Sequence, residues 1–270
     1  MNTNWSNLSF PRVCGLLASN PSKLSQAMHN AGFKHLELDF FYTAIKTVNT
    51  IEALNSCKEL GFRGLSLTIP HKEKALEVVS EIDSASEKIG SINTVVNDGS
   101  KLFGFNTDYY GIIEALREAK SDDSKSALLI GAGGASRAAL FALQELGVQD
   151  IVICNRTISR AENLAKEFSS TKSKVDVIDL SAIKSNLESK LIINSTPNES
   201  LFDYNLLNQS NEVFDMITKE TELIKVAKSK QIKSIEGKRM LLFQALKQFE
   251  LFTEKKAPID VMEKALYKEI

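Results

Sequence analysis

Ser126-Ala-Leu-Leu-Ile-Gly-Ala-Gly-Gly-Ala-Ser-Arg-Ala-Ala-Leu140 is the stretch whose reading decides the fold. Ala127 to Ile130 is an apolar run of strand length, and Gly131, Gly133 and Gly134 follow it directly. Ala135 to Leu146 is rich in Ala and Leu and reads as a helix ended by Gly147. A glycine turn between strand and helix lets backbone N–H groups approach a pyrophosphate, whose charge the helix N-terminus favours. Ser136 stands where the third glycine of G-x-G-x-x-G is expected. The next apolar run, Asp150 to Cys154, arrives at the spacing of a β-α-β unit, and this context supports a dinucleotide-binding turn.

The tip of that second strand bears on the cofactor. An NAD site places a carboxylate about 20 residues further on, against the ribose hydroxyls. Here Asn155-Arg156-Thr157 occupies the tip, and Arg160 follows one helical turn later. Two planar guanidiniums suit a 2′-phosphate, so NADP is the expected cofactor. A pair of arginines at a helix start can also serve only to solvate it, and that alternative stays open here.

The chain has 270 residues, 43% of them hydrophobic, enough for one large domain or two of ordinary size. Its formal net charge of −1 provides no basic field for nucleic acid or an anionic membrane surface. No run approaches the roughly 18 apolar residues of a membrane span, and Met1 to Ser6 lacks the parts of a signal peptide. Cys14, Cys57 and Cys154 are scattered without metal spacing and read as small apolar residues in a reducing cytoplasm. The three histidines likewise lack ligand spacing, so metal hydrolysis fits poorly.

Around the glycine turn, strands and helices alternate. Arg12 to Ala18 is a strand candidate, Leu24 to Phe33 a helix, Leu36 to Ala44 a strand, and Thr50 to Leu60 a helix. Gly64 to Ile69 is a third strand, stopped by Pro70, and Lys72 to Val79 reads as helical. Ile92 to Asn97 and Lys101 to Phe105 form a hairpin about Asp98-Gly99. Tyr109 to Ala119 is a helix leading towards the glycine turn. Beyond it come strands at Leu191 to Asn194 and Glu212 to Ile217, a helix at Thr221 to Lys230, and a short strand ending at Gly237. Arg239 to Phe252 reads as the last helix, lying on or beside the first domain. The pattern is α/β with a mostly parallel sheet.

Polar clusters follow the strands of the first domain: Ser25 to Asn30, Thr68-Ile-Pro-His-Lys72, Asn93-Thr94 and Asn106-Thr-Asp108. Strand ends facing a cleft are where α/β proteins bind ligands. A Lys and an Asp converging there can share a proton, the carboxylate orienting the ammonium that serves a substrate oxygen. Taken singly, Lys72 or Asp108 reads as half of an ordinary salt bridge at a helix start. His71 reads as a supporting or surface residue, and His29, on a helix, and His35, on a loop, as structural.

Together these motifs resemble the shikimate dehydrogenase family. Thr68-x-Pro-x-Lys72, Asn93-Thr94, Asn106-Thr-Asp108, Gly131-Ala-Gly-Gly-Ala135, Asn155-Arg-Thr157 and Gly237-x-x-Met240-Leu241-x-x-Gln244 fall in the family's order, from about residue 12 to residue 252. The resemblance implies a substrate domain over 1–108 plus 240–270, a Rossmann-type NADP domain over 109–239, and a cleft between them. It implies reversible reduction of 3-dehydroshikimate to shikimate, by a monomer or homodimer whose partner is the small-molecule substrate. Lys72 would be the acid/base and Asp108 its partner. Lys23, Ser25, Thr68, Asn93 and Gln244 would hold the substrate. Gly131, Ala132, Gly133, Gly134, Ala135, Asn155, Arg156, Thr157 and Arg160 would hold NADP, with Met216 and Gly237 bordering the nicotinamide.

Four departures stand out. Lys23-Leu-Ser25 replaces Ser-x-Ser, so an ammonium stands where a hydroxyl is expected. Asp215-Met-Ile-Thr218-Lys-Glu-Thr221 is two residues shorter than Asp-x-x-Tyr-x-Pro-x-x-Thr and lacks the tyrosine. Asn198-Glu199 replaces Gly-Met after Asn194 to Pro197, and Phe252-Thr253-Glu254 replaces Trp-Thr-Gly. Lys23 reads either as a substitute clamp on the substrate carboxylate or as a solvated lysine. Three functions follow: the shikimate enzyme, a relative acting on quinate or another polyhydroxy-cyclohexane carboxylate, and a non-enzymatic NADP-binding regulator.

Overall fold

The computed structural model describes residues 12–169, 173–188 and 191–268; the expectation for Met1 to Ser6 lies outside them. The chain divides into two compact units, 1–83 with 92–105 and 248–270, and 84–91 with 106–247. This differs from the expected 1–108 plus 240–270 and 109–239. A short helix of the second unit interrupts the first, and the helix expected at 239–252 is split between them.

In the first unit, β1 (Arg12–Ala18), β2 (Phe40–Lys46), β3 (Gly64–Leu67), β4 (Glu81–Ile82), β5 (Thr94–Asn97) and β6 (Leu102–Phe105) form one sheet in the order β2-β1-β3-β5-β6-β4. All pairs are parallel except those of β5, which runs antiparallel to β3 and to β6. The ends of β1, β3 and β6 therefore share one edge with the start of β5. Leu17, Leu65, Leu67, Ile92 and Val95 are buried against Leu54 and Cys57 of α2 (Thr50–Glu59).

The helix α1 (Leu24–His35) is longer than expected, which places His35 in its last turn and delays β2 to Phe40. The alternation of Leu36, Leu38 and Phe40 mimics a strand, but the backbone closes a helix end. Leu38 N–H donates to Phe33 O and Glu37 N–H to Lys34 O, with Glu37 at φ +52. Past Pro70 the chain makes only one α turn, α3 (His71–Lys74), and then a 3₁₀ turn. A helix not expected from the sequence, α10 (Ile259–Lys268), packs on α1 through Met262 near Gly32. Glu254, where the family motif has glycine, holds φ +59 and pairs with Arg63 Nη2 at 2.9 Å. Arg63 also donates to Phe252 O and Asn97 O, fixing this end of the chain on the first sheet.

In the second unit, β7 (Ser126–Ile130), β8 (Asp150–Asn155), β9 (Lys174–Asp179), β10 (Leu191–Asn194), β11 (Glu212–Asp215) and β12 (Lys233–Glu236) are all parallel. Their order is β12-β11-β10-β7-β8-β9, so the winding reverses between β7 and β10. Alternate residues feed two cores. Ala127, Leu129, Ile151 and Ile153 meet α5 (Asp108–Glu118) and α6 (Gly134–Glu145) on one face. Leu128, Ile130 and Ile192 meet α8 (Glu222–Ser229) on the other. Burial on both faces is why β7, β8 and β10 are continuous apolar runs. The unit also holds α4 (Ser84–Ile89) and α7 (Ile158–Glu167), and α9 (Gly237–Thr253) crosses from it into the first unit.

Candidate active site

The glycine turn lies at the C-terminal end of β7, where the strand order reverses, which is the ligand-binding position of such sheets. Gly131 has φ +122, and a Cβ there would fall 2.6 Å from Ser195 Oγ, so only glycine fits. Gly133 differs. Its φ of −109 suits any residue, it is exposed, and a Cβ there would meet no atom of the described residues within 4 Å. Packing among the described residues does not demand glycine at this position, whereas close approach of a pyrophosphate would. Ala132, Gly134 and Ala135 complete the turn and the first residues of α6.

Ser136 explains the missing third glycine. Its Oγ accepts the Gly133 N–H at 3.0 Å and lies 2.7 Å from Ser195 Oγ. Ser195 Oγ is 2.7 Å from Ile130 O, and a carbonyl only accepts, so the Ser195 hydroxyl donates there. Ser136 therefore donates to Ser195.

At the tip of β8, Asn155 Nδ2 donates to Thr157 O at 2.8 Å, and Thr157 precedes α7. Arg156 and Arg160 are both exposed there. One carboxylate does reach the neighbouring tip: Asp179, at the end of β9, is in register with Asn155. It caps the next 3₁₀ turn, accepting from Ser181 N at 2.9 Å and Ser181 Oγ at 2.7 Å. Those bonds hold its pKa below the usual carboxylate value.

Met216 and Gly237 are brought together at the ends of β11 and β12, where a Cβ on Gly237 would lie 2.5 Å from Met216 O. Met216 N–H also donates to Asn194 O. The shortened loop after β11 is closed by Asp215, which is buried. It accepts from Asn194 Nδ2 at 3.0 Å, Ile217 N at 3.1 Å and Thr221 Oγ1 at 2.6 Å. Burial raises its pKa against those bonds. Two of the sequence departures meet in this region, since Lys219 forms an ion pair with Glu199.

Within the first unit, Thr68 and Lys72 are fixed by backbone bonds at the sheet edge that β1, β3 and β6 share. Thr68 N–H donates to Leu17 O at 3.2 Å, His71 N–H to Thr68 O at 2.8 Å, and Ile92 N–H to Lys72 O at 2.9 Å. Leu67 N–H donates to Asn93 O at 2.7 Å, which draws Asn93 to the end of β3. His71 is buried. Its Nδ1 accepts from Thr50 Oγ1 at 2.8 Å, and its Nε2 lies 3.1 Å from Thr47 O, a carbonyl that requires the proton on Nε2. Burial lowers its pKa, and the neutral ring anchors the turn that bears Lys72. Ser25 is buried in the first turn of α1; Lys23 precedes that helix, is exposed, and makes no capping bond.

Asp108 and Gln244 belong to the second unit. Asp108 opens α5, its N–H donating to Asn106 Oδ1 at 3.0 Å, while Asn106 Nδ2 donates to Ser91 O at 2.9 Å. One turn along α5, a Cβ on Gly111 would lie 2.7 Å from Met240 O and 3.1 Å from the Gln244 backbone. This close crossing of α5 and α9 brings Gln244 to the turn that starts with Asp108. The cysteines are all buried, and burial pushes the Cys14 and Cys154 thiols up to about 12 and Cys57 up to about 11.

A fully parallel sheet with a glycine turn at its reversal, together with a second α/β sheet that has a polar edge, defines a two-unit nucleotide-binding α/β protein. Family models match as the shikimate dehydrogenase substrate binding domain over residues 19–95, shikimate / quinate 5-dehydrogenase over 114–212, and the shikimate 5′-dehydrogenase C-terminal domain over 237–267. The chain belongs to the shikimate dehydrogenase family. It is 34% identical to the shikimate dehydrogenase (NADP(+)) of Desulforamulus reducens, over 96% of each chain. The shikimate 5-dehydrogenase of Thermus thermophilus, solved with NADP(H) and shikimate, superposes with a TM-score of 0.85 at 33% identity, covering 97% of this chain and 100% of that one. A quinate dehydrogenase from Corynebacterium glutamicum in complex with NAD superposes at 0.87 with 26% identity, covering 96% and 100%.

Proposed function

We propose that this chain catalyses the NADP-dependent, reversible reduction of 3-dehydroshikimate to shikimate, with Lys72 and Asp108 as its acid/base pair. The observation that carries the chemistry is the 2.9 Å bond from Ile92 N–H to Lys72 O, which sets Lys72 beside the strand start that bears Asn93. The residues suit NADP: exposed Arg156 and Arg160 for the 2′-phosphate, and Gly133 open to a pyrophosphate. When bound, NADP supplies the hydride acceptor or donor. In the reducing direction Lys72 Nζ gives a proton to the carbonyl oxygen; in oxidation it takes the proton from the hydroxyl. Asp108 holds and orients the ammonium. Ser25, Thr68, Asn93 and Gln244 bind the ring hydroxyls and carboxylate, and Met216 and Gly237 border the nicotinamide. Cytoplasmic location and a monomeric or homodimeric state belong to the same proposal; no helix among the described residues is long and apolar enough to cross a membrane.

A second reading, with quinate as substrate, is favoured by the exposed ammonium of Lys23 and by the rebuilt loop that Thr221 closes on Asp215. The test of the chemistry is turnover of shikimate with NADP⁺ by the wild type, Lys72→Ala and Asp108→Asn. Each substitution is expected to lower kcat by about 10²-fold or more with NADP⁺ affinity nearly unchanged. Near-full turnover by Lys72→Ala would place the proton carrier elsewhere.

A further inference from the structure

Behind Asn93 lies a chain of buried side chains from three elements of the first unit. Ser66 Oγ is 2.8 Å from Gln248 Oε1, Gln248 Nε2 is 3.0 Å from Thr94 Oγ1, and Thr94 Oγ1 is 2.8 Å from Asn93 Oδ1. Ser66, Gln248, Thr94 and Asn93 are each at least nine-tenths buried, so each needs hydrogen-bond partners within the protein.

The polarity of the chain follows from one fixed point. Gln248 Nε2 also faces the backbone oxygen of Asn93 at 3.4 Å, and a carbonyl can only accept. The end of the Gln248 amide that faces Asn93 and Thr94 is therefore the N–H end, and its oxygen faces the Ser66 hydroxyl. Thr94 Oγ1 accepts from Gln248 and gives its one proton to Asn93 Oδ1. With Oδ1 held by the Thr94 hydroxyl, the Asn93 amide turns its Nδ2 donor to the other side.

We propose that Gln248 is a positioning residue for the reaction: through Thr94 it sets the Asn93 amide with its donor towards the substrate. The proposal rests on Asn93 being a substrate-binding residue. Gln248 stands one helical turn beyond Gln244 on α9, so a single helix bears both the assigned substrate residue and the group that orients another. Linked hydrogen bonds of this kind polarise one another and hold a single arrangement.

Four variants test it, with KM for shikimate, kcat and NADP⁺ affinity measured for each and folding followed by thermal denaturation. Gln248→Glu keeps the shape but has no N–H, so the Thr94 proton turns to the new carboxylate and Asn93 Oδ1 loses the Thr94 bond. Thr94→Val removes the link itself. Both are expected to raise KM for shikimate by about fivefold or more, the size of one hydrogen bond, with NADP⁺ affinity unmoved. Thr94→Ser retains the hydroxyl and should stay near the wild type. Asn93→Ala supplies the reference. If it raises KM while Gln248→Glu and Thr94→Val do not, the relay is wrong and the Asn93 assignment stands. If Asn93→Ala leaves KM unchanged, both are wrong. A rise for Thr94→Ser equal to that for Thr94→Val would reduce Thr94 to a packing role and also overturn the proposal.

Discussion

Ser136 Oγ and Ser195 Oγ stand 2.7 Å apart, joining the glycine turn after β7 to the tip of β10. The pair substitutes for the missing glycine by a different means. Where a third glycine would permit close packing, the serine bridges the crevice and ties down the Gly133 N–H.

Ser136→Ala should therefore disturb the turn. It removes the acceptor for Gly133 N–H and the donor to Ser195, at a cost of about 1 kcal/mol in stability. NADP⁺ affinity should fall severalfold, while KM for shikimate at saturating cofactor stays close to the wild type. Thermal denaturation and a cofactor titration check this, and unchanged NADP⁺ affinity would show that the bridge does not shape the turn.

Arg156 should decide cofactor choice. A charge-assisted hydrogen bond contributes roughly 1.5–3 kcal/mol, so Arg156→Ala should weaken NADP⁺ binding about tenfold or more and leave NAD⁺ binding nearly unchanged. Asp179, on the neighbouring tip, is engaged with Ser181 and poised as an anion. Equal losses for the two cofactors in a titration would remove Arg156 from the 2′-phosphate.

Lys23 tests the substrate rim. If its ammonium takes the substrate carboxylate, Lys23→Met should raise KM for the acid by about tenfold, with NADP⁺ affinity unchanged. A KM equal to the wild type for both Lys23→Met and Lys23→Ser would mean that the ammonium stays in solvent.

Two buried histidines make stability depend on pH. His29 is fully buried, its ring stacked 4.4 Å from that of Tyr42, and burial pushes its pKa down to about 3, against a weaker upward pull from Gln248. Burial also lowers the pKa of His71. The unfolded chain then binds more protons than the folded one below the ordinary value of 6.5. Stability is complete above that pH and is lost as pH falls, by up to about 1.4 kcal/mol per unit for His29 alone. Denaturant midpoints from pH 7 downward should show this fall, and His29→Phe should flatten it. A slope unaffected by His29→Phe would assign the acid sensitivity to other groups.

Much of this architecture is legible in the sequence because it is local. The glycine turn, the apolar strands β7, β8, β10 and β11, and the Asp98-Gly99 hairpin each lie within about fifteen residues. Elements with weak local signals escape: Glu81–Ile82 is a two-residue strand, and Ser84–Ile89 is too short to show a helical period. α10 escapes for another reason, since its apolar residues gain meaning only against α1. Motifs name the candidate site residues, but the anchoring of those residues is non-local. Ser66 meets Gln248 across 182 positions, and Ser136 meets Ser195 across 59. No window of sequence displays such pairs. The exposed Lys219–Glu199 ion pair is a similar case, linking two departures that look unrelated along the chain.

The most direct measurement is the initial rate of nicotinamide reduction by the wild-type chain, with shikimate or quinate as the acid and NADP⁺ or NAD⁺ as the acceptor. The highest kcat/KM is expected for shikimate with NADP⁺. A higher value for quinate, or for NAD⁺ as acceptor, would contradict the assignment of substrate or of cofactor respectively. No reduction in any of the four pairs would contradict the activity itself.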